Sequence, residues 1–210
     1  MWLPCGLTPY LVIYELMLWT VCLVGDNFLP TLNIIKDHIW AKALADSATH
    51  GAIGALSWAV CVDLDFRNNY KVLECILAGF LSCAIDLDHF IAAGSFQLKD
   101  ALSLTNRPVF HDTTIIPAIA LLLYFVCYNL NRFYSLPLIF TIAWLSHHLR
   151  DGTRRGLWVR PFGSTPPIPY VVYVILVMLL PVTCRIFMTI YGMRMDRYLT
   201  KERDIEMNII

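Results

Sequence analysis

Charge is scarce in this 210-residue chain: Asp, Glu, Lys and Arg make up 15% of it, against 58% hydrophobic residues. With a mean hydropathy of +0.59, this excludes an ordinary soluble domain and points to a polytopic membrane protein. The 16 basic and 16 acidic residues cancel, so no basic surplus suggests a nucleic-acid partner. The seven cysteines (Cys5, Cys22, Cys61, Cys75, Cys83, Cys127, Cys184) include no CxxC pair and lie mostly in apolar runs. An odd count without metal spacing argues against a disulfide framework or a zinc ribbon, and for small apolar packing residues. There is no N-x-S/T sequon and no internal repeat at a fixed period. The N-terminus lacks the basic segment of a cleaved signal, so the first apolar run is expected to stay as an anchor.

What the chain does contain is six apolar runs, at about residues 7–29, 43–62, 72–93, 113–128, 136–150 and 168–191. They predict an all-α, polytopic membrane helical bundle of about six transmembrane helices. The bundle forms one domain, 1–191, followed by a charged tail, 192–210, expected to lie on the surface or to be disordered. The fifth run is short unless its helix extends through Asp151, and Gly152 and Gly156 are expected to break it. Glu15 should face other helices or lie off-centre, because a lone carboxylate at a helix centre costs about 2.5–3.5 kcal/mol. Gly51 and Gly54 give the second helix a close-packing surface. Pro117 is tolerated in the first turns of the fourth helix, and Pro181 reads as a kink in the sixth. Residues 63–71, DLDFRNNYK, read as a short solvated turn and His38 as a solvated loop residue. Arg150, Arg154, Arg155 and Arg160 read as a basic loop.

The remaining polar residues are concentrated. Asp46 and His50 are four residues apart, as are His147 and Asp151, so each pair shares a helix face. Asp86 and His89 can also share a face, with Asp88 pointing elsewhere unless the helix is unwound. His111 and Asp112 close the loop 94–112. With six crossings, all four clusters fall at one membrane face, and they hold five of the six histidines. Ionisable residues in such a setting need water, one another or a cation. Imidazoles with carboxylates suit Zn, Mn or Fe, and the lack of nearby cysteine pairs disfavours a thiolate site. The donors exceed what one tetrahedral ion needs. Either two metals bind, or one metal binds and an outer set of residues holds its ligands. A purely structural polar network at helix ends is the alternative.

Four short motifs carry a resemblance: THG at 49–51, DLDH at 86–89, R-x-x-x-H at 107–111 and SH-x-x-x-D-x-T at 146–153. In order and approximate spacing they resemble the bacterial membrane-bound metal-dependent hydrolases. That resemblance covers roughly residues 40–163 and implies metal ligation by His50, Asp86, Asp88, His111, His147 and Asp151. The bacterial third motif usually reads H-R-G-x-T-H-S. Here Asn106 replaces its first histidine, Pro108 the glycine, Phe110 the threonine and Asp112 the serine. More specifically, the segments LAGFLSCAIDLDHFIAAGSFQLKDALSLTNRPVFHDT and SHHLRDGTRRGLWVRPFG resemble the animal transmembrane protein 267 family over nearly the whole chain.

The function expected on this basis is a metal-dependent hydrolase at the membrane surface. A bound divalent metal lowers the pKa of a water, with Asp88 or Asp151 as ligand or general base. Arg107, Arg154 and Arg155 are placed to hold a phosphate, making a phospholipid or another phosphoester the expected substrate; membrane-surface anchoring is their other role. Asp46, His89, Asp112 and His148 are assigned to the outer set or to substrate contact. Two alternatives stand beside this. One is a catalytically inactive relative that acts as a membrane scaffold and keeps a structural metal or polar site. The other is a metal or proton transporter, disfavoured because the clusters sit at one face and no inverted repeat is visible. Basic residues balance on the two sides, so the positive-inside rule assigns no orientation.

Overall fold

A computed structural model describes residues 8–190 of the chain. Cys5, the tail 192–210 and the outermost residues of the first and sixth runs lie outside the described residues. Helix α1, Pro9–Leu23, runs on through a π turn, Val24–Phe28, and a 3-10 turn, Leu29–Thr31. There follow α2, Asn33–Lys36; α3, Ile39–Val62; α4, Asn69–Ala84; α5, Leu87–Ala93; and α6, Leu98–Leu102. A 3-10 turn, Val109–His111, then leads into α7, Ile115–Leu130, and α8, Leu136–Arg155. A hairpin of β1, Trp158–Val159, and β2, Gly163–Ser164, precedes α9, Tyr170–Ile190. Local chemistry sets several of these starts. The Thr8 hydroxyl accepts the Leu11 amide with Pro9 in the first turn of α1, and Asn68 accepts the Tyr70 and Lys71 amides at the start of α4.

The result is an all-α membrane bundle. Three stretches, Pro9–Thr31, Asn69–Ala93 and Tyr170–Ile190, are long and apolar enough to cross a bilayer, and α7 is a shorter apolar helix. Helices α3 and α8 occupy the middle. Helix α3 packs on α1, α4, α8 and α9, while α8 packs on α3, α4, α7 and α9. These two carry most of the polar residues of the interior, and their neighbours shelter them from lipid. Composition alone therefore marks out their peripheral partners more strongly. Apolar packing between the layers centres on Trp58 and Ile139 at one end, on Tyr173 and Leu18, and on Phe140 and Trp144.

Several expectations change. The third run is two helices, α4 and α5, with a turn at Ile85 and Asp86 between them. Gly152 does not break the fifth helix, which continues through Asp151 to Arg155. A side chain at Gly152 would lie 2.7 Å from the Ile168 Cδ1, so its role is to let the segment before α9 fold back onto α8. Gly156, at φ +72°, ends the helix as expected. Arg150 belongs to α8 and is 2% exposed, not part of a solvated loop. Of the acids at 63–71, Asp63 accepts from the Thr8 hydroxyl at 2.7 Å and lies 3.5 Å from the Arg185 guanidinium; Asp65 faces solvent and accepts the Arg67 amide. Pro181 lies within α9 without interrupting it. The Glu15 oxygens are shielded and without a hydrogen-bond partner among the described residues.

The close approach of α3 and α4 rests on glycine, as the Gly51 and Gly54 spacing implies. A Cβ on Gly54 would stand 2.8 Å from the Ser82 Cβ, and one on Gly79 would stand 2.9 Å from the Gly51 carbonyl oxygen. Both neighbours are stiff, so overpacking here forces the two helices apart at a cost of about 1–3 kcal/mol. Gly79→Val should therefore lower the thermal unfolding midpoint of the purified protein by several degrees, followed by intrinsic tryptophan fluorescence.

Candidate metal centre

The turn at Ile85 and Asp86 is what builds the site. In an unbroken helix the Ser82 carbonyl would accept the amide of residue 86. Here it accepts from Nδ1–H of His147 at 2.9 Å, on the neighbouring helix α8. That fixes the tautomer of the His147 ring and leaves its Nε2 lone pair free to bind. The same turn places Asp86 and Asp88, two residues apart, on either side of His111.

Four donors converge: Asp86 Oδ1, His111 Nε2, His147 Nε2 and Asp151 Oδ2. His111 Nε2 is 3.6 Å from Asp86 and 3.5 Å from Asp151. His147 Nε2 is 3.5 Å from Asp86, 3.4 Å from Asp151 and 3.4 Å from His111. Four ligands about 2.0–2.1 Å from a tetrahedral ion are separated by about 3.3–3.4 Å. Five of the six edges are thus within a few tenths of an ångström of a tetrahedral cage, and the two-nitrogen, two-carboxylate set suits a borderline divalent cation.

An outer set holds the cage. The Asp88 carboxylate, 5% exposed, accepts the Phe110 amide at 2.8 Å and lies 3.3 Å from His111 Nδ1, pointing His111 Nε2 inward. His89 Nδ1 lies 3.2 Å from the same carboxylate, so Asp88, His89 and His111 form a second, three-donor group behind the first. His148 donates from Nε2 to the Phe110 carbonyl at 2.8 Å and accepts at Nδ1 from the Thr113 hydroxyl at 3.1 Å. It ties the His111 loop to α8. His50 lies beside the four donors: its ring stacks on His147 at 3.8 Å, and its Nε2 is 3.4 Å from the outer oxygen of Asp151 and 3.7 Å from Asp46. Both His50 nitrogens are buried without a hydrogen bond among the described residues. Asp112 turns away from the site. It accepts the Thr114 amide and hydroxyl at the start of α7 and pairs with Arg160 at 3.4 Å; burial raises the Asp112 carboxyl, but these partners outweigh it and hold the value below the ordinary range.

The arginines divide. Arg107 donates to the carbonyls of Arg155 and Gly156, closing the exposed end of α8. Arg154 makes a two-pronged contact with Asp46 and lies 3.7 Å from Asp151. The Arg155 side chain is exposed, with no ion-pair or hydrogen-bond partner among the described residues. Arg150, which sequence reasoning placed in a loop, is the central cation. Its guanidinium reaches Asp26 at 2.7 Å and Asp46 at 2.9 Å, linking α8 to the end of α1 and the start of α3. No spacing rule connects positions 26 and 150; the available signal is an acid and a base at the ends of two apolar runs.

A cavity of about 370 Å³ opens over the cage. Its lining includes the polar residues Asp86, His111, Asp151, Arg154 and Arg155 and the apolar residues Trp40, Leu44, Leu87, Leu98 and Leu102. Its volume falls in the range of small-molecule sites.

An all-α bundle with long apolar helices and a partly buried histidine–carboxylate cluster at one end defines a multi-pass membrane protein with a polar centre. Its relatives are proteins of the same kind. The chain is 45% identical over 176 residues to transmembrane protein 267 of Danio rerio, covering 82% of this chain and 78% of that protein. The corresponding Xenopus laevis protein is 44% identical over 82% of this chain and 80% of its own length. The Mus musculus protein is 40% identical over 92% of this chain and 94% of its own length. The chain belongs to the transmembrane protein 267 family. No family model matches the chain, so the resemblance to the bacterial hydrolases has no support of that kind. No solved structure matches it either.

Burial alone would lower the pKa of His111, but Asp151, Asp86 and Asp88 outweigh it and push the value up to about 11. Its folded value lies above the ordinary histidine value of about 6.5, so the stability it contributes is complete below about pH 6.5. That contribution is lost as pH rises through 11. In chelator-treated protein, stability measured by denaturant unfolding should fall between pH 7 and 10, and His111→Ala should flatten that slope. Arg150 has a 3% exposed side chain, and removing it leaves Asp26 without its cation and Asp46 with Arg154 alone. Arg150→Ala should cost about 3–5 kcal/mol in the same measurement.

Proposed function

We propose that this protein is a metal-dependent hydrolase of phosphoesters working at one face of the membrane. The observation that carries this reading is the near-tetrahedral arrangement of Asp86, His111, His147 and Asp151, three of which (Asp86, His111 and Asp151) line a cavity together with Arg107, Arg154 and Arg155. In this reading those four residues hold one zinc, manganese or iron ion, and all six apolar runs cross the bilayer. A cation held by these four residues would serve as a Lewis acid and would lower the pKa of a water to near neutrality.

The chain's own residues supply the rest. Asp151 has one oxygen in the cage and the other, free of hydrogen bonds, 3.4 Å from the His50 ring. Asp151 and His50 together can take and release a proton beside the cavity. Asp88 holds the His111 ring in place and acts through that residue, so its role shifts from the catalytic base expected from sequence to a positioning group. Arg155 is the arginine best placed to receive a phosphate, because Arg107 is engaged by the end of α8 and Arg154 by Asp46.

A second reading, a non-catalytic relative that keeps the site for folding, draws on the changed residues around His111 and on the ion-pair network, which is already extensive without a metal. Turnover separates the two. Detergent-purified wild type should retain about one equivalent of metal by mass spectrometry, and His147→Ala and Asp86→Ala should each lose it. Full metal in both variants would sink the site. Wild type should also cleave a generic diester such as bis-p-nitrophenyl phosphate, with Asp151→Asn slower by about a hundredfold or more. Retained metal with no turnover on a broad ester and phosphoester panel would favour the structural reading.

A further inference from the structure

Resting on that reading, we infer that the site takes a membrane lipid whose phosphate sits over the cage while its hydrocarbon chain lies along the apolar wall and leaves into the bilayer. The cavity's lining is of two chemical kinds. Its polar part includes three of the cage residues, Asp86, His111 and Asp151, with Arg155. Its apolar part comes from Trp40 and Leu44 of α3, Leu87 of α5, and Leu98, Ala101 and Leu102 of α6.

This apolar lining grades from buried to exposed. Leu98 and Ala101 are 6% and 2% exposed, whereas Leu102, Leu87, Trp40 and Leu44 are 55%, 55%, 57% and 67% exposed. A lining of exposed, large apolar side chains is unfavourable against water and favourable against hydrocarbon. The lining also carries cations, with Arg154 and Arg155 more than a third exposed, and cations are at home among lipid phosphates. A water-soluble phosphoester has no use for the apolar part. A single chain beneath a phosphate meets both kinds of lining at once.

Zinc-loaded protein in amphipol, free of detergent that would compete for the wall, tests this with butyl, hexyl, octyl and decyl phosphate as ligands. Affinity should rise roughly tenfold for every two methylenes seated. Leu44→Gln combined with Leu102→Gln, both at exposed positions, should flatten the series without loss of metal; Ala101→Trp should do the same by filling the buried part of the apolar lining. An equal affinity for all four chain lengths, or no binding of any of them, would overturn the lipid assignment. So would a double variant as steep as wild type. Flat binding with metal present leaves the metal centre intact and rejects only the lipid. A steep series in a wild type that retains no metal keeps the lipid seat and rejects the hydrolase.

Discussion

An ionised side chain cut off from water needs a counter-charge or a cation, and that requirement organises one end of this bundle. Asp26, Asp46, Asp86, Asp88 and Asp151 meet there with Arg150, Arg154 and four histidines. Each carboxylate faces at least one nitrogen. This pairing draws the helices together beside their apolar faces, because separating them would leave partly shielded charges without partners. The glycines of α3 and α4 then let those helices approach closely enough for the polar groups to meet.

The cage depends on an interruption. A straight third helix would keep Asp86 and Asp88 on different faces and engage the Ser82 carbonyl in its own ladder. Breaking it at Ile85 and Asp86 sends one carboxylate to each side of His111 and supplies the oxygen that orients His147. Local irregularity is tolerated at membrane depth where protein surrounds it. Here it provides the ligand geometry. The hairpin after α8 reinforces the same loop, since the Thr113 amide donates to the Trp158 carbonyl at 2.8 Å and Arg160 pairs with Asp112.

Much of this was legible in the sequence. Apolar runs located the principal helices, and the i, i+4 spacing of His147 and Asp151 put both on one face of α8. Counting crossings put the four clusters at one end, where Asp86, His111, His147 and Asp151 do meet. What was not legible depended on contacts between distant segments. Gly152 looks like a helix terminator until Ile168 is seen lying against it. Arg150 sits in a run of arginines and looks solvated until Asp26, from the end of another helix, is seen to pair with it. His50 and Asp112 carry the residue types of ligands, yet one stacks beside the cage and the other starts α7. Residue type and spacing indicate that a site exists; which members are innermost depends on three-dimensional register.

The link from Arg150 to Asp26 and Asp46 has a consequence for how the chain is made. Synthesis proceeds from the N-terminus, so α1 and α3 exist well before the cation that joins them. Both acids lie near helix ends, where water at the membrane surface can hold them in the interval. Once α8 is made, one arginine gathers three helices, and the same helix delivers His147 and Asp151 to Asp86 and His111. A chain stopped before residue 147 would lack half the cage and the clamp together, so the centre is completed late, in a single step near the end of biogenesis.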